Sequence, residues 1–192
     1  IIDAFLSGPR EKFMPDGKRE AAYIGENFQI GRSSIMLEPR TLAKLLDSLE
    51  IHNDELVLDI GSGLGYSSAV ISLIAEVVIA VEEDSSMANE AEQILSEIGV
   101  DNVVVQIGEL KDGAPEHGPY DVIILQGGVG EIPSSIFNQL KNGGRIGAIF
   151  IEEGLGTAKI GFKLNNKITW RYSFNAAAPI LPGFSKQKDF VL

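Results

Sequence analysis

The chain has 192 residues, 44% of them apolar and 22% charged, which is the composition of one ordinary folded domain that can bury its own core. Its 27 acidic and 16 basic residues give a net charge of −11 spread along the chain, which argues against nucleic acid and anionic membranes as partners. The sequence has no cysteine, so disulfides, thiolate catalysis and thiol-ligated metal centres are excluded.

We expect a single domain over residues 1–192, with an N-terminal cap at 1–38, a core at 39–174 and a C-terminal cap at 175–192. No apolar run reaches the roughly 20 residues needed to cross a bilayer, and the segment Ile1–Arg10 lacks the pattern of a signal peptide. We therefore expect a cytoplasmic location.

The first clear helical period in chain order is Arg40–Leu49, whose leucines fall on one face. Five short β-branched runs follow, and most are apolar on both faces, as buried parallel strands are. They are Glu55–Ile60, Val77–Val81, Val103–Ile107, Asp121–Leu125 and Arg145–Phe150. Because helical stretches alternate with these strands, we predict an α/β fold, a doubly wound and mainly parallel sheet in three α/β/α layers.

Between the strands, helices are predicted at Ser67–Ala75, Ser86–Ile98 and Ser134–Leu140. Ser86 is the expected N-cap of the second helix and Gly99 its left-handed C-cap, while Gly143 and Gly144 are expected to follow the end of the third.

The last predicted elements form an antiparallel hairpin at the C-terminal edge of the sheet. Its strands are Ala158–Leu164 and Lys167–Phe174, which flank Asn165-Asn166, a pair that tolerates the left-handed turn.

The most informative segment is Leu56-Val57-Leu58-Asp59-Ile60-Gly61-Ser62-Gly63-Leu64-Gly65-Tyr66, a strand that enters a glycine turn before a helix. Glycines let the backbone approach a ligand and leave amide groups free at the helix start. Tyr66 stands where a dinucleotide fingerprint has its third glycine, and Asp59 would repel a diphosphate but attract a cationic amino-acid group. The turn therefore favours an adenosyl donor with sulfonium and ammonium groups over a dinucleotide.

Acidic residues also follow the next two strands. The Glu82 carboxylate could accept both hydroxyls of a ribose, and Gly108-Glu109 is in position to reach an adenine amino group. Asp59 and Glu82 would then hold opposite halves of S-adenosylmethionine. A structural interpretation stays open, in which Asp59 braces the glycine loop, Glu82 is a solvated strand end and Glu109 is a loop acid.

The Asp59-x-Gly61-x-Gly63-x-Gly65 turn resembles the first motif of class I S-adenosylmethionine-dependent methyltransferases. Further segments resemble the protein-L-isoaspartate O-methyltransferases in particular and cover nearly the whole chain. They are Pro9-Arg10-Glu11-Lys12-Phe13-Met14-Pro15, Ala22-Tyr23, Gly31, Gly118-Pro119-Tyr120-Asp121-Val122-Ile123-Ile124, Glu131-Ile132-Pro133 and Leu140-Lys141-Asn142-Gly143-Gly144-Arg145. The resemblance implies a Rossmann-like methyltransferase domain that methylates isoaspartyl residues of a protein or peptide, with S-adenosylhomocysteine as the product.

The resemblance also implies the site residues. The donor is expected to contact Asp59, Gly61, Ser62, Gly63, Gly65, Glu82, Glu83, Gly108, Glu109 and Gln126. The substrate is expected to contact Leu37, Glu38, Pro39, Gly127 and Gly128, the last two in a loop over residues 126–130. Asp59 is the catalytic candidate, because it would position the donor without moving a proton. The segment Ala178–Gly183 loosely resembles the family's substrate strand, and it could pair its backbone with a peptide acceptor.

The chain departs from the family where members carry Thr-Ile-Ser-x-Pro, whose hydroxyls face the transferred methyl group and the substrate carboxylate. Aligned on Pro39, this chain reads Ile35-Met36-Leu37-Glu38-Pro39, so both hydroxyl positions are apolar, and Ser33 and Ser34 are out of register. The alternative is therefore a donor-binding protein of the same fold with a different acceptor or no activity. A nicotinamide oxidoreductase is disfavoured by the residues of the turn.

Methylation of a carboxylate needs no general base, because the acceptor is ionised at neutral pH and is itself the nucleophile. The histidines of the chain, His52 and His117, fall in polar loops, and we expect both at the surface. No metal site is expected, because the acidic residues are scattered and no histidine pair has ligand spacing. Four aromatic residues of the caps are expected to pack over the adenosyl group: Phe13, Tyr23, Phe28 and Phe184.

Overall fold

Helices and strands alternate along most of the chain in the computed structural model, which describes residues 1–31 and 34–186. In this part of the chain the helices are α1 (Ile2–Ser7), α2 (Pro39–Leu49), α3 (Tyr66–Ser72), α4 (Ser85–Glu97) and α5 (Ser134–Gln139). Short 3₁₀ turns lie at Arg10–Phe13, Arg19–Ala21, Leu110–Asp112 and Pro115–His117. No described helix has the length and hydropathy needed to span a membrane.

The strands form a small pair and one large sheet. The antiparallel pair consists of β1 (Phe28–Gln29) and β2 (Ile35–Met36). The large sheet consists of β3 (Leu56–Ile60), β4 (Val77–Glu82), β5 (Val103–Ile107), β6 (Tyr120–Val129), β7 (Leu140–Glu152), β8 (Leu155–Leu164) and β9 (Lys167–Asn175).

The order of the large sheet is β5-β4-β3-β6-β7-β8-β9, with β3 to β7 parallel and β8 and β9 antiparallel. The chain moves outward from β3 to β5 and then returns to β6, so the carboxyl ends of β3 and β6 lie side by side at a topological switch point. The prediction of a doubly wound, mainly parallel sheet with an antiparallel C-terminal hairpin is confirmed.

The core lies on both faces of this sheet, because its central strands alternate apolar side chains between two layers. Val57, Val78 and Val122 pack on the side of α2, α3 and α4. Leu58 and Ile79 pack on the opposite side, among residues of α5 and the 3₁₀ turns. Because both faces of the sheet are packed, the ends of β3, β4 and β6 are held in fixed positions.

Strands β6 and β7 extend well beyond their predicted bounds, and β8 begins three residues before its predicted start. β6 continues past Leu125 because Gly128 and Val129 pair with Ile149 and Phe150 of β7. The predicted loop over residues 126–130 is therefore wrong, since the chain is a strand as far as Val129.

Helix ends also differ from the prediction. Asp84, rather than Ser86, caps α4, and its carboxylate accepts the backbone N–H of Ser86 at 2.9 Å and that of Met87 at 3.2 Å. α5 ends at Gln139, so Gly143 and Gly144 lie inside β7. α3 ends at Ser72 rather than at residue 75.

The C-terminal hairpin matches the prediction. β8 and β9 pair antiparallel, and the two residues between them, Asn165 and Asn166, adopt left-handed φ angles of 49° and 60°. Beyond β9, residues 176–184 return across the sheet, and a parallel bridge joins Ile180 to Gly128. The division into a core and two caps stays an interpretation.

Candidate functional site

The glycine turn joins the carboxyl end of β3 to α3. Gly61, Gly63 and Gly65 have φ angles of 79°, 58° and 93°, a region that residues with a Cβ rarely adopt. All three glycines are buried. The turn therefore depends on glycine both for its backbone path and for the close approach of neighbouring groups.

Asp59 lies in β3 directly before this turn and is fully buried. Its Oδ2 accepts hydrogen bonds from the hydroxyls of Ser67 and Ser68, and its Oδ1 accepts one from Gln126 Nε2, all at 2.6 Å. Burial raises the pKa of Asp59, and the three donors oppose that rise. The carboxylate thus braces β3, α3 and β6 against each other through side-chain donors.

Glu82 ends β4 and is also fully buried. Its Oε2 accepts the Gly63 N–H at 2.9 Å, and its Oε1 accepts the Asp84 N–H at 3.0 Å and the Ser34 hydroxyl at 3.5 Å. Burial raises the pKa of Glu82, while the two backbone amides lower it. The idea of a solvated strand end is therefore wrong, because Glu82 is bonded directly to the glycine turn.

The end of β5 is only partly joined to this site. The Gly108 N–H donates to the Glu82 carbonyl at 3.1 Å, which places Gly108 beside the end of β4. The side chain of Glu109 is 67% exposed and forms an ion pair with Lys111 at 2.8 Å. Glu83 is also exposed. The structure thus brings Gly108 to the crevice and leaves Glu83 and Glu109 at the surface.

At the carboxyl end of β6, the predicted substrate glycines contact the C-terminal segment. The Gly128 N–H donates to the Pro179 carbonyl at 2.7 Å, and the Leu181 N–H donates to the Gly128 carbonyl at 2.8 Å. A Cβ on Gly127 would lie 2.7 Å from the Leu181 side chain. The segment pairs with β6, and its predicted pairing with a peptide acceptor stays a prediction.

The other predicted substrate residues lie between β2 and α2. Leu37 is buried, and its carbonyl accepts a hydrogen bond from Arg10 Nη2 at 2.8 Å. Glu38 precedes α2, with Oε1 accepting the Thr41 hydroxyl at 3.0 Å, and Pro39 is the first residue of the helix. These contacts hold the start of α2 and leave an apolar surface toward the turn.

Ser34 is buried and donates to Glu82, so it belongs to the donor side of the crevice. Ser33 lies outside the described residues. Ile35 and Leu37 stand at the two positions where the family carries hydroxyls. Both side chains are buried, so these two positions are apolar in the structure as well.

Side chains from both ends of the chain cover the glycine turn. A Cβ on Gly63 would lie 2.4 Å from Ile30 Cδ1, and a Cβ on Gly61 would lie 3.2 Å from Leu181 Cδ2. The cavity left over the turn has a volume of about 10 Å³, room for roughly one water molecule. Its lining includes Ile30, Ile35, Leu37, Gly61, Ser62, Tyr66, Ser67 and Gln126. The crevice is closed in this structure.

The chemistry of the crevice fits an adenosyl donor, although its present volume does not. Ser62 lines the cavity, and its hydroxyl is buried with no hydrogen-bond partner among residues 1–31 and 34–186. Together with the nearby carboxylates of Asp59 and Glu82, this hydroxyl supplies groups that ammonium and ribose hydroxyls can bond. Sites for small ligands occupy about 300–1,000 Å³, so Ile30, Leu181 or both have to move to admit the donor.

The remaining predicted side chains are divided between surface and core. His52 and His117 are exposed, as predicted. Phe13 and Phe184 are fully buried, but Tyr23 is 66% exposed, so the prediction that it packs over the adenosyl group is wrong. Phe28 is half-buried. Within the described part of the chain, no group of three or more acidic or histidine side chains is arranged to hold a metal ion.

Four side chains that contact the crevice were not predicted. Ser67 and Ser68 lie in the first turn of α3 and donate to Asp59. Two hydroxyl residues that follow a strand aspartate and a glycine turn could have predicted these hydrogen bonds. Ile30 and Leu181 carry no local pattern that would mark them, because each reaches the turn from a distant part of the chain.

Comparison with known proteins gives a consistent family assignment. The sequence model of the family described as protein-L-isoaspartate(D-aspartate) O-methyltransferase matches residues 1–166. The protein-L-isoaspartate O-methyltransferase of Brucella anthropi is 37% identical over 146 residues, which cover 76% of this chain and 67% of the relative. Protein-L-isoaspartate O-methyltransferase 1 of Rhodopseudomonas palustris is 34% identical over 146 residues, which cover 76% of this chain and 60% of the relative.

Solved structures agree with this assignment. A protein-L-isoaspartate O-methyltransferase has a TM-score of 0.85 and 27% identity, over 94% of this chain and 60% of that one. A Plasmodium falciparum protein, described as a putative member in complex with S-adenosyl-L-homocysteine, shares the fold with a TM-score of 0.79 and 18% identity, over 93% of this chain and 88% of that one. The matched region spans 60% to 68% of the length of the curated relatives. The chain belongs to the protein-L-isoaspartate O-methyltransferase family.

Proposed function

We propose that the protein binds S-adenosylmethionine at the glycine turn and transfers a methyl group to a carboxylate, with isoaspartyl residues of proteins or peptides as the substrate. The observation that carries the proposal is the pair of fully buried carboxylates, Asp59 and Glu82, on either side of one turn. Glu82 is bonded to Gly63 of that turn at 2.9 Å. Family membership supports the reaction class, and the S-adenosylhomocysteine complex of the Plasmodium falciparum protein supports the donor.

Each half of the donor has a matching part of the crevice. The negative charge of Asp59 and the unpartnered hydroxyl of Ser62 suit the amino-acid end. Glu82 suits the ribose, because its carboxylate can accept two hydroxyl donors once the crevice opens. Gly108 stands nearest to the adenine position, while Glu109 would need to leave Lys111 to reach it.

When bound, S-adenosylmethionine supplies an electrophilic methyl group on a positively charged sulfur. An oxygen of the substrate carboxylate forms the new bond to the methyl carbon, and the electron pair of the broken bond stays on sulfur, giving a methyl ester and a thioether. No proton moves, so exposed His52 and His117 are not needed. The chain contributes alignment and exclusion of water, to which the apolar side chains of Ile30 and Leu37 are suited.

The proposed reaction also determines the expected partner. A protein or peptide acceptor fits the family name, whereas the sequence gives no support for nucleic acid as a partner. A single methyltransferase domain with two caps and a cytoplasmic location stay predictions.

The test is a methyl-transfer assay with two peptides of identical sequence, one with an isoaspartyl linkage and one with an ordinary aspartyl linkage. We expect S-adenosylhomocysteine and a base-labile methyl ester in equal amounts with the isoaspartyl peptide, and neither with the control. Binding of S-adenosylhomocysteine without turnover of the isoaspartyl peptide would overturn the isoaspartyl substrate and leave a donor-binding protein with another acceptor or none.

A variant tests whether the apolar residues of the acceptor site prevent methylation of the isoaspartyl peptide. The double substitution Ile35→Thr with Leu37→Ser restores the hydroxyls that the family carries. If the wild type is inactive and this variant forms the ester, the apolar residues are the reason, and the wild type serves another acceptor or none.

A further inference from the structure

An asparagine followed by a glycine lies near the start of β7, at the amino end of the parallel strands and therefore opposite to the crevice. Asn142-Gly143 is the one Asn-Gly sequence of the chain. β7 pairs with β6 at Leu140 and again at Arg145, with a register shift between these two points. The pairing of β7 with β8 begins at Arg145. The Asn-Gly sequence thus lies in an irregular stretch, ahead of the regular ladders of β7.

Both residues of this sequence are accessible to water, since Asn142 and Gly143 are exposed. Gly143 has a φ angle of 88°, and a Cβ placed on it would have no atom within 4 Å apart from its chain neighbours. The peptide bond between the two residues is therefore reached by solvent and has room to rearrange.

The Asn142 side chain is held by the turn between β8 and β9. Its Oδ1 accepts the backbone N–H of Asn165 at 2.7 Å. A donor at a carbonyl oxygen stabilises the negative charge that develops there when a nucleophile attacks the carbonyl carbon. This hydrogen bond thus favours attack on Cγ of Asn142.

We propose that Asn142 is a site of spontaneous modification, at which the backbone nitrogen of Gly143 attacks Cγ of Asn142. The nitrogen gives up its proton and bonds to Cγ, the bond between Cγ and Nδ2 breaks, and Nδ2 leaves as ammonia. Water then opens the five-membered imide at either of its carbonyls, which gives an aspartyl or an isoaspartyl residue. Glycine permits the attack because no side chain crowds its nitrogen. This site does not depend on the proposed methyl transfer.

Two aspartates are also followed by glycine, and both are poorer candidates. A carboxylate is a weaker electrophile than an amide, because its negative charge repels a nucleophile. Asp16 is also held in an ion pair with Arg19 at 3.3 Å. The nitrogen that follows Asp112, that of Gly113, donates to a backbone carbonyl at 3.3 Å. We therefore expect Asn142 to react before either of them.

The test is incubation of the folded full chain at mildly alkaline pH, followed by peptide mapping with mass spectrometry. We expect Asn142 to be converted at least tenfold faster than Asn165 and Asn166, which are exposed in the neighbouring turn but precede residues with side chains. Two products of equal mass, aspartyl and isoaspartyl, should separate by chromatography. Equal rates at the three asparagines would overturn the proposal, and an aspartyl product alone would overturn the imide route.

A matched pair of variants tests the source of the ammonia. Asn142→Gln keeps an amide but moves its carbon out of reach of a five-membered ring, so it should remove most of the ammonia that the wild type releases. Asn166→Gln makes the same change at an exposed position of the turn and should leave the release unchanged. Release at the wild-type rate from the Asn142 variant would overturn the proposal.

Discussion

The carboxylates of Asp59 and Glu82 accept hydrogen bonds from backbone and side-chain groups of the same chain. Such a carboxylate can be a structural brace, a ligand contact or both. The structure shows the brace, and the proposed function adds the ligand. At the scale of single residues, the question is how to remove one role without the other.

Asp59→Asn separates the two roles. The amide keeps an acceptor for Ser67 and Ser68, and Gln126 can turn its own amide to present oxygen instead of nitrogen, so we expect the free energy of unfolding to change by less than about 1 kcal/mol. The lost charge should weaken S-adenosylhomocysteine binding at least about tenfold, or about 1.4 kcal/mol. Calorimetry and urea denaturation measure the two effects. An unchanged affinity would show that Asp59 is only a brace.

Glu82 gives a prediction about pH. Because burial raises its pKa, the carboxyl holds its proton to a higher pH than an exposed glutamate does, whereas ribose hydroxyls need the ionised form as acceptor. Binding of S-adenosylhomocysteine should therefore release a proton and strengthen as pH rises through the raised pKa of Glu82. Calorimetric affinities at several pH values measure this. A flat profile would contradict the contact.

The same residue can be tested by substitution. Glu82→Gln should weaken S-adenosylhomocysteine roughly ten- to a hundredfold, since a hydrogen bond to a charged group contributes about 1.5–3 kcal/mol, and it should remove the pH dependence. Glu92→Gln is the matched control, because that side chain is exposed on α4, is not a predicted donor contact and should change neither.

At the scale of elements, the β1–β2 pair and the C-terminal segment close the crevice from two sides. Ile30 lies over Gly63, and Leu181 lies over Gly61 and Gly127. Donor entry therefore requires one or both elements to move, which makes them gates as well as parts of the core.

Ile30→Ala should speed donor entry. It removes apolar contact that opening must break, and we expect the association rate of S-adenosylhomocysteine to rise by up to about tenfold, the value of roughly 1–1.5 kcal/mol of lost burial. Stopped-flow mixing measures the rate. Ile24→Ala, at an exposed position, is the control. Equal rates in both variants and the wild type would mean that Ile30 does not gate the site.

Gly128→Ala tests the C-terminal segment. The added Cβ would lie 2.6 Å from the Ala178 carbonyl oxygen, so the backbone pairing with β6 must shift. We expect a loss of about 1–3 kcal/mol in the free energy of unfolding and faster proteolysis near residue 180. Gly25→Ala has no atom within 4 Å of its Cβ and serves as control. Stability equal to that of the control would contradict the pairing.

What the sequence could predict follows from the range of each interaction. The existence of β3, β4 and β5 depends on local apolar runs, and their bounds are predicted to within about one residue. The full length of β6 was not predictable, because Gly128 is held by Pro179, far along the chain. Asp59 and Glu82 were found because they mark the ends of adjacent parallel strands, whereas no local signal points to Ile30.

For the whole molecule, the switch point between β3 and β6 is where segments from both ends of the chain meet. Closure is thus a property of the entire fold. A ligand that binds only the folded chain stabilises it, by about 2.7 kcal/mol at a hundredfold excess over its dissociation constant.

The most direct test of the central claim, an adenosyl donor site between Asp59 and Glu82, is a calorimetric titration of the wild-type chain with S-adenosylhomocysteine, with NAD in a parallel cell. The account predicts one molecule of S-adenosylhomocysteine bound per chain and no heat of binding for NAD. Binding of NAD, or no binding of S-adenosylhomocysteine at millimolar concentration, would contradict it.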